Sequence, residues 1–204
     1  MKKWFSALLC FMLVGCGSGE VQPSASSVPF MSEYTELEEN LVYEEGDHES
    51  VERMLAHGTG VIYFSFPDCP WCQKYTPLLQ DAASEADVEV LYYNIYRDKS
   101  EDKEWYDEIA SMIEEKNPEI SRYDNDGNTV IFMPLVLFVN EGEIIGYDDE
   151  TCDLNSDEVP VDTYWTDEKI NALHERLLPL FEEVKQAQDE KNEQGCAIGT
   201  DPSC

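Results

Sequence analysis

Two cysteines three positions apart, Cys69 and Cys72, carry the clearest chemical pattern in the sequence. They occur in the stretch FSFPDCPWCQKYTP, which begins with an apolar run and ends at Pro77. Residues at positions i and i+3 lie on one face of a helix, so the two sulfurs can close a small disulfide or stand as an open dithiol. The spacing therefore predicts thiol–disulfide chemistry.

The residues around the pair predict different roles for the two sulfurs. Cys69 follows an apolar run that is typical of a buried strand and precedes a helical pattern, with Pro70 at the first helical position. Free N–H groups and the positive end of the helix dipole stabilise a thiolate at such a place. We therefore predict that Cys69 is the attacking sulfur and that Cys72 is the resolving one.

Two other interpretations of the cysteine pair are weaker. Zinc takes four ligands, but the chain has no second Cys-x-x-Cys, and His48, His57 and His174 are scattered. A purely structural disulfide is compatible with secretion, yet so short a loop constrains the unfolded chain little. The sequence thus predicts no metal site and no dissociable cofactor.

The elements that must position the pair alternate between strand and helix patterns. Strand patterns cover residues 40–45, 61–66 and 87–96, and two more strands lie in 129–147, joined at 140–142. Helical patterns cover residues 47–58, the stretch after the cysteines, the region around 105–113, and the chain from residue 166 onward. The order β-α-β-α-β-α-β-β-α favours an α/β layered domain with a mixed sheet.

Two prolines lie where proline is uncommon. Pro134 occurs in an apolar, strand-like run, where a proline breaks pairing unless it marks a strand start, an edge or a bulge. A cis peptide bond between Met133 and Pro134 fits such a place. Pro77 lies inside a helical pattern, where proline typically costs about 3 kcal/mol, so we expect a kink there.

These features resemble the thioredoxin-like superfamily. Its pattern is a buried strand, a Cys-x-x-Cys at the start of a helix, a proline five residues after the second cysteine, and a distant cis-proline before the last hairpin. The chain supplies the strand at 61–66, the cysteine pair, Pro77, and Pro134 followed by LVLFVNEGE. The resemblance covers residues 61–147 clearly and 41–184 less clearly.

The resemblance implies a thioredoxin fold, with a mixed central sheet flanked by helices. It also implies that Trp71, Met133 and Pro134 contact the partner at the redox centre. The stretch FSFPDCPWC, together with the N-terminus described below, is most similar to exported thioredoxin-like proteins of the bacteriocin transport accessory type.

The chain departs from the thioredoxin pattern at Tyr63. Thioredoxins proper carry a buried aspartate six residues before the first cysteine, which transfers a proton to the resolving thiol. With tyrosine at this position, proton transfer must use water or another group. The dipeptide Pro70-Trp71 is closer to the Pro-aromatic pair of glutaredoxins than to Gly-Pro.

The N-terminus has the layout of a secretory signal. Lys2 and Lys3 precede an uncharged run that is shorter than the about 20 residues needed to span a bilayer. The residues Leu-Val-Gly-Cys at 13–16 resemble the bacterial lipoprotein cleavage box. This resemblance implies that residues 1–15 are removed, that Cys16 is lipidated, and that the protein is extracytoplasmic and anchored to the bacterial cell membrane. An ordinary signal peptide with a coincidental cysteine is the alternative.

Composition divides the rest of the chain and excludes one class of partner. A tether rich in Gly, Ser and Pro at 16–30 precedes one domain at 31–185, which contains an acidic insertion at about 148–162 and is followed by a polar tail at 186–204. The net charge of −31 gives an acidic surface that repels phosphate backbones. We therefore expect no nucleic-acid partner.

Three cysteines remain once Cys16 and the Cys-x-x-Cys pair are assigned, because Cys10 lies in the signal peptide. Cys196 and Cys204 bracket a short polar loop and are the simplest structural disulfide. A pair between Cys152 and Cys196 is the alternative. Because three is an odd number, one of these cysteines stays unpaired or forms a bond with a partner.

These observations predict a thiol–disulfide oxidoreductase that acts on exported proteins or peptides through a Cys-Pro-Trp-Cys centre. They do not give the direction of electron flow or the redox partner. The alternative is a thioredoxin-like accessory lipoprotein that assists the export or maturation of a peptide with little turnover.

Overall fold

The computed structural model describes residues 33–198, apart from 38, 40, 102, 153 and 155–157. Strands β1 to β7 are Tyr43–Glu45, Gly60–Phe64, Val90–Tyr93, Arg122–Tyr123, Thr129–Val130, Leu135–Asn140 and Glu143–Asp148. Helices α1 to α6 are His48–His57, Pro70–Ala86, Ile95–Glu101, Lys103–Lys116, Val161–Tyr164 and Asp167–Ile198.

Five strands form one mixed sheet in the order β1-β3-β2-β6-β7. Strands β1, β3 and β2 run parallel, whereas β6 is antiparallel to β2, and β7 to β6. The central strands β2 and β6 are buried along nearly their whole length, which explains why their sequences are continuous apolar runs. The α/β class and the mixed sheet flanked by helices, both predicted from the sequence, are confirmed.

Helices cover both faces of the sheet because neighbouring side chains of a strand point to opposite faces. Tyr63 of β2 belongs to the core shared with α2 and α6, whereas Ile62 belongs to the core shared with α1 and α4. On the first face, the rings of Phe138 in β6 and Phe181 in α6 pack with centroids 4.9 Å apart. Helix α2, which begins at the cysteine pair, and helix α6 thus pack beside each other on this face of the sheet.

A small hairpin lies between helix α4 and strand β6. Strands β4 and β5 pair as a separate two-stranded sheet around the stretch DNDGN. The carboxylate of Asp124 accepts hydrogen bonds from the N–H groups of Asp126 and Asn128, each over 2.9 Å. These side-chain bonds form the turn that closes the hairpin.

Two helix boundaries also differ from the sequence prediction. Helix α3 begins at Ile95, inside the stretch predicted as strand, and the side chain of Asn94 accepts a hydrogen bond from the N–H of Arg97 over 3.1 Å. This bond caps the helix and ends the strand. Helix α6 continues to Ile198, beyond residue 186, because the polar residues there are mostly good helix formers.

Gly142 provides a test of the hairpin between β6 and β7. Its φ is +82°, and a Cβ added there would lie 2.5 Å from the carbonyl oxygen of Ala56. Gly127 has a similar φ of +81° but has nothing within 4 Å of an added Cβ, so it is a matched control. We expect Gly142→Ala to lower the free energy of unfolding by about 2 kcal/mol more than Gly127→Ala, because only the first forces atoms to overlap. Urea denaturation measures both, and equal losses would contradict the expectation.

Candidate functional site

The disulfide of Cys69 and Cys72 lies where β2 leads into α2. Cys69 is the residue that caps the N-terminus of α2, and Pro70 is the first helical residue. The N–H of Cys72 donates to Sγ of Cys69 over 3.1 Å, and the two Cα atoms are 5.1 Å apart. The predicted disulfide is confirmed. A thiolate at Cys69 would be stabilised by this N–H and by the helix N-terminus.

The segment before β6 brings a second piece of backbone to the disulfide. The peptide bond between Met133 and Pro134 is cis, as the sequence predicts. The carbonyl oxygen of Met133 lies 3.9 Å from Sγ of Cys69. Met133 lies near Cys69 because Leu135 at the start of β6 pairs with Phe64 at the end of β2.

Cys152 is a further thiol at the same segment, and its place could not be found from the sequence. Its Sγ donates a hydrogen bond to the carbonyl oxygen of Pro134 over 3.0 Å. Cys152 follows β7, and it comes close to Pro134 because β7 pairs with β6, with Asp148 opposite Val136. No spacing signal in the sequence reports such a long-range contact.

An apolar groove of about 330 Å³ opens beside this segment. Its lining includes Phe66, Phe132 and Met133 together with the side chains of Tyr96 and Cys152. Tyr96 and Phe132 are 55% and 42% exposed, so the groove presents aromatic surface to solvent next to Met133. Apolar grooves with exposed aromatic side chains suit protein or peptide partners.

A larger open cavity of about 600 Å³ lies beside the N-terminus of α1 and carries weaker chemistry. Its lining is mostly charged and includes no cysteine. Two of its residues, Arg97 and Glu45, already pair with each other over 3.1 Å. We therefore place the candidate site at the disulfide and not in this cavity.

Both sulfurs and the tryptophan between them are shielded from solvent. Cys69 and Trp71 are 5% exposed, and Cys72 is fully buried. The ring of Trp71 packs edge-on against Tyr164, with centroids 5.2 Å apart. In this arrangement Trp71, predicted from the resemblance to contact a partner, is covered by the chain itself, while Met133 borders the groove.

Tyr63, at the position where the resemblance predicts an aspartate, places a phenol near Cys72. Thr76 donates to the carbonyl oxygen of Cys72 over 2.7 Å. Because this bond uses the hydroxyl hydrogen of Thr76, the hydroxyl of Tyr63 donates to Oγ1 of Thr76 over 3.0 Å. Burial, followed by the nearby Tyr34, raises the pKa of Tyr63 far above the ordinary tyrosine value. Tyr63 therefore holds its proton and does not act as a base for Cys72.

Several sequence predictions fall on other parts of the chain. The signal peptide at 1–15, the tether at 16–30 with Cys16, and Cys204 of the predicted disulfide with Cys196 lie outside the described residues. Within the described residues, no helix is long and apolar enough to cross a membrane. The same residues contain no group of three or more His, Cys, Asp or Glu side chains arranged to hold a metal ion.

Models of known protein families do not match the chain, and a search of curated proteins finds no significant relative. The function proposed below therefore depends on the geometry and chemistry of the site.

Proposed function

We propose that the chain is a thiol–disulfide oxidoreductase of the thioredoxin-like superfamily, with a thioredoxin fold. The observation that carries the proposal is the disulfide at the N-terminus of α2, where the N–H of Cys72 points at Sγ of Cys69. The sheet order β1-β3-β2-β6-β7 and the cis bond before Pro134 support the same assignment.

Exchange begins at Cys69 because it is the more exposed of the two residues. A partner thiolate attacks Sγ of Cys69, the bond between the two cysteines breaks, and Cys72 leaves as a thiolate that takes up a proton. A second partner thiolate then attacks the partner sulfur of the mixed disulfide and releases Cys69. The partner is oxidised by two electrons and the chain is reduced. The reverse sequence reduces a partner disulfide.

The partner is an exported protein or peptide that presents a sulfur beside apolar residues. The groove next to Met133 supplies the apolar contact, and the carbonyl oxygen of Met133 lies beside Cys69, where an extended chain can donate a hydrogen bond to it. We also propose that the mature protein is held at the extracytoplasmic face of a bacterial cell membrane by lipid on Cys16.

The accessory role is a second candidate, and the burial of the site favours it. Cys69 is only 5% exposed. Tyr63 stands where thioredoxins carry the aspartate that transfers a proton to the resolving thiol. Both features slow turnover. An accessory protein would bind its peptide in the groove without rapid exchange.

An insulin reduction assay and a dithiol oxidation assay separate the two candidates. The oxidoreductase is expected to catalyse at least one of these reactions above the uncatalysed rate, and Cys69→Ser is expected to return the rate to background because it removes the exchanging sulfur. Arg53→Gln, which alters an exposed ion pair outside the groove, is the control and is expected to retain activity. If the wild-type rates equal the background rates in both assays, the oxidoreductase proposal is wrong and the accessory role is supported.

A further inference from the structure

Arg176 of α6 binds two carboxylates near the end of β7. Its Nε donates to Oδ2 of Asp148 over 2.7 Å, and its Nη2 donates to Oε2 of Glu150 over 2.5 Å. Asp148 is only 4% exposed, so its charge requires a partner inside the fold. Burial opposes the charge on the guanidinium, but the two carboxylates together outweigh it and raise the pKa of Arg176.

Each of these carboxylates also accepts a hydrogen bond from a tyrosine near the disulfide. Tyr75 donates to Oδ1 of Asp148 over 2.9 Å, and Tyr164 donates to Oε1 of Glu150 over 2.6 Å. Tyr75 lies in α2, about one helical turn beyond Cys72. The arginine is therefore connected to the helix that carries the cysteine pair and to the segment that follows the acidic insertion.

Two aromatic residues, Tyr164 and Trp165, form what we call the aromatic cover. The ring of Tyr164 packs edge-on against Trp71, at 5.2 Å and 89°. Trp165 packs against Tyr164 at 5.0 Å and against Tyr75 at 6.0 Å. The cover explains why Trp71, which lies between the two cysteines, is only 5% exposed.

The charge balance of the chain indicates that this use of arginine is specific. The sequence has 13 Lys and Arg against 44 Asp and Glu, so acidic side chains outnumber basic ones more than threefold. Yet three successive acidic residues at the end of β7 all bind arginines, because Asp149 pairs with Arg122 over 3.0 Å while its two neighbours pair with Arg176.

We propose that Arg176 is a positioning residue of the redox centre, which holds the two carboxylates so that the aromatic cover closes the Trp71 side of the disulfide. A partner sulfur then reaches Cys69 from the other side, where the carbonyl oxygen of Met133 lies 3.9 Å from Sγ and the groove opens. This inference rests on the proposed function, because a closed side selects partners only if Cys69 exchanges with them.

The test measures alkylation of the reduced, full-length chain by iodoacetamide, with separate rates for Cys69 and Cys152 from peptide mass spectrometry. Cys152 is the internal reference because it lines the groove and its thiol donates to the carbonyl oxygen of Pro134. Tyr164→Ala is expected to raise the Cys69 rate about twofold to tenfold, the range that one aromatic pair contributes to an equilibrium, and to leave the Cys152 rate unchanged. Tyr164→Phe keeps the ring and is expected to raise the Cys69 rate less.

Variants of the arginine test the positioning step itself. Arg176→Gln is expected to raise the alkylation rate of Cys69. Arg176→Lys keeps the charge but lacks the planar fork that binds two carboxylates, so its rate is expected to lie between those of wild type and Arg176→Gln. Arg53→Gln removes the same charge from an exposed ion pair and is expected to behave as wild type. Because Arg176→Gln leaves Asp148 buried without its cation, Glu150→Gln is the milder variant, and we expect it to raise the Cys69 rate by a smaller factor.

Cys69 rates that stay at the wild-type value in Tyr164→Ala and Glu150→Gln would overturn the proposal. Cys69 and Cys152 rates that rise together would also overturn it, because general loosening of the fold produces that pattern. Alkylation requires no turnover, so the result is separate from the exchange assays. A chain that exchanges disulfides but shows unaltered variant rates keeps the proposed function and loses the positioning role. A chain that fails the exchange assays but responds to Tyr164→Ala has the aromatic cover but loses the proposed function, and with it the selection of partners.

Discussion

Replacing Cys72 with serine is expected to trap a mixed disulfide between Cys69 and its natural partner. In the intact chain this adduct is short-lived, because the Cα atoms of the two cysteines are 5.1 Å apart and Cys72 can attack the sulfur of Cys69 at once. In the variant, the Cys69 thiolate attacks a partner disulfide and releases the other partner sulfur as a thiolate, and the serine hydroxyl cannot attack the mixed disulfide that forms. Adducts should therefore accumulate in the host cell and disappear on reduction. Non-reducing gel electrophoresis measures their amount, and mass spectrometry identifies the partner.

Two control variants make the trapping result specific. Cys69→Ser keeps the buried thiol but removes the one at the helix N-terminus, so it is expected to trap few adducts. The thiol of Cys152 donates to the carbonyl oxygen of Pro134 beside the site, so a second control removes this thiol as well. The double variant Cys72→Ser, Cys152→Ser is expected to trap at least as much as Cys72→Ser alone. Equal trapping by Cys69→Ser and Cys72→Ser would show that the roles of the two sulfurs are misassigned.

The parts of the site that depend on local chemistry could be predicted from the sequence. A β-branched and aromatic run, then Cys69, then Pro70 indicate a strand, a helix cap and a first helical residue, and each choice is decided by its immediate neighbours. Pro134 could be recognised for the same reason, because a proline within an apolar run conflicts with an ordinary central strand.

The parts of the site that depend on contacts between distant elements could not be predicted. The sequence indicates only that Arg176 is a polar residue of an amphipathic helix and that Asp148 and Glu150 belong to a solvated acidic run. Their partnership appears only when α6 packs beside the end of β7. The shielding of Trp71 by Tyr164 also has no signal in the sequence, because a ring contact between distant segments follows no sequence period.

The core on the face of the sheet beneath the disulfide contains a cluster of buried tyrosines, whose hydroxyls make this core partly polar. Its members are Tyr34, Tyr43, Tyr63, Tyr75 and Tyr92, each at most 5% exposed. Their hydroxyls are hydrogen-bonded inside the fold: Tyr34 donates to Tyr92 over 3.2 Å, and Tyr43 donates to the carbonyl oxygen of Thr76 over 2.5 Å. Satisfied hydroxyls allow such large polar side chains to be buried.

Because of this tyrosine cluster, the domain is expected to unfold cooperatively at alkaline pH. Burial is the largest cause that raises the pKa of all five phenols well above the ordinary tyrosine value. Because each folded pKa is raised, the stabilisation is complete below about pH 10 and is lost as the pH rises above it, since the unfolded chain then releases protons that the folded chain retains.

The expected size of this loss decides where unfolding occurs. Each group contributes about 1.4 kcal/mol per pH unit above the unfolded pKa, so five groups together remove about 7 kcal/mol per pH unit. A domain of ordinary stability, about 5–15 kcal/mol, should therefore unfold within about one to two pH units above pH 10. Circular dichroism measures the unfolding, and phenolate absorbance should rise in the same step. Added salt is the control, because it screens repulsion within this acidic chain but does not change the proton count. Gradual ionisation without loss of the dichroism signal up to pH 12 would mean that the cluster is open to solvent.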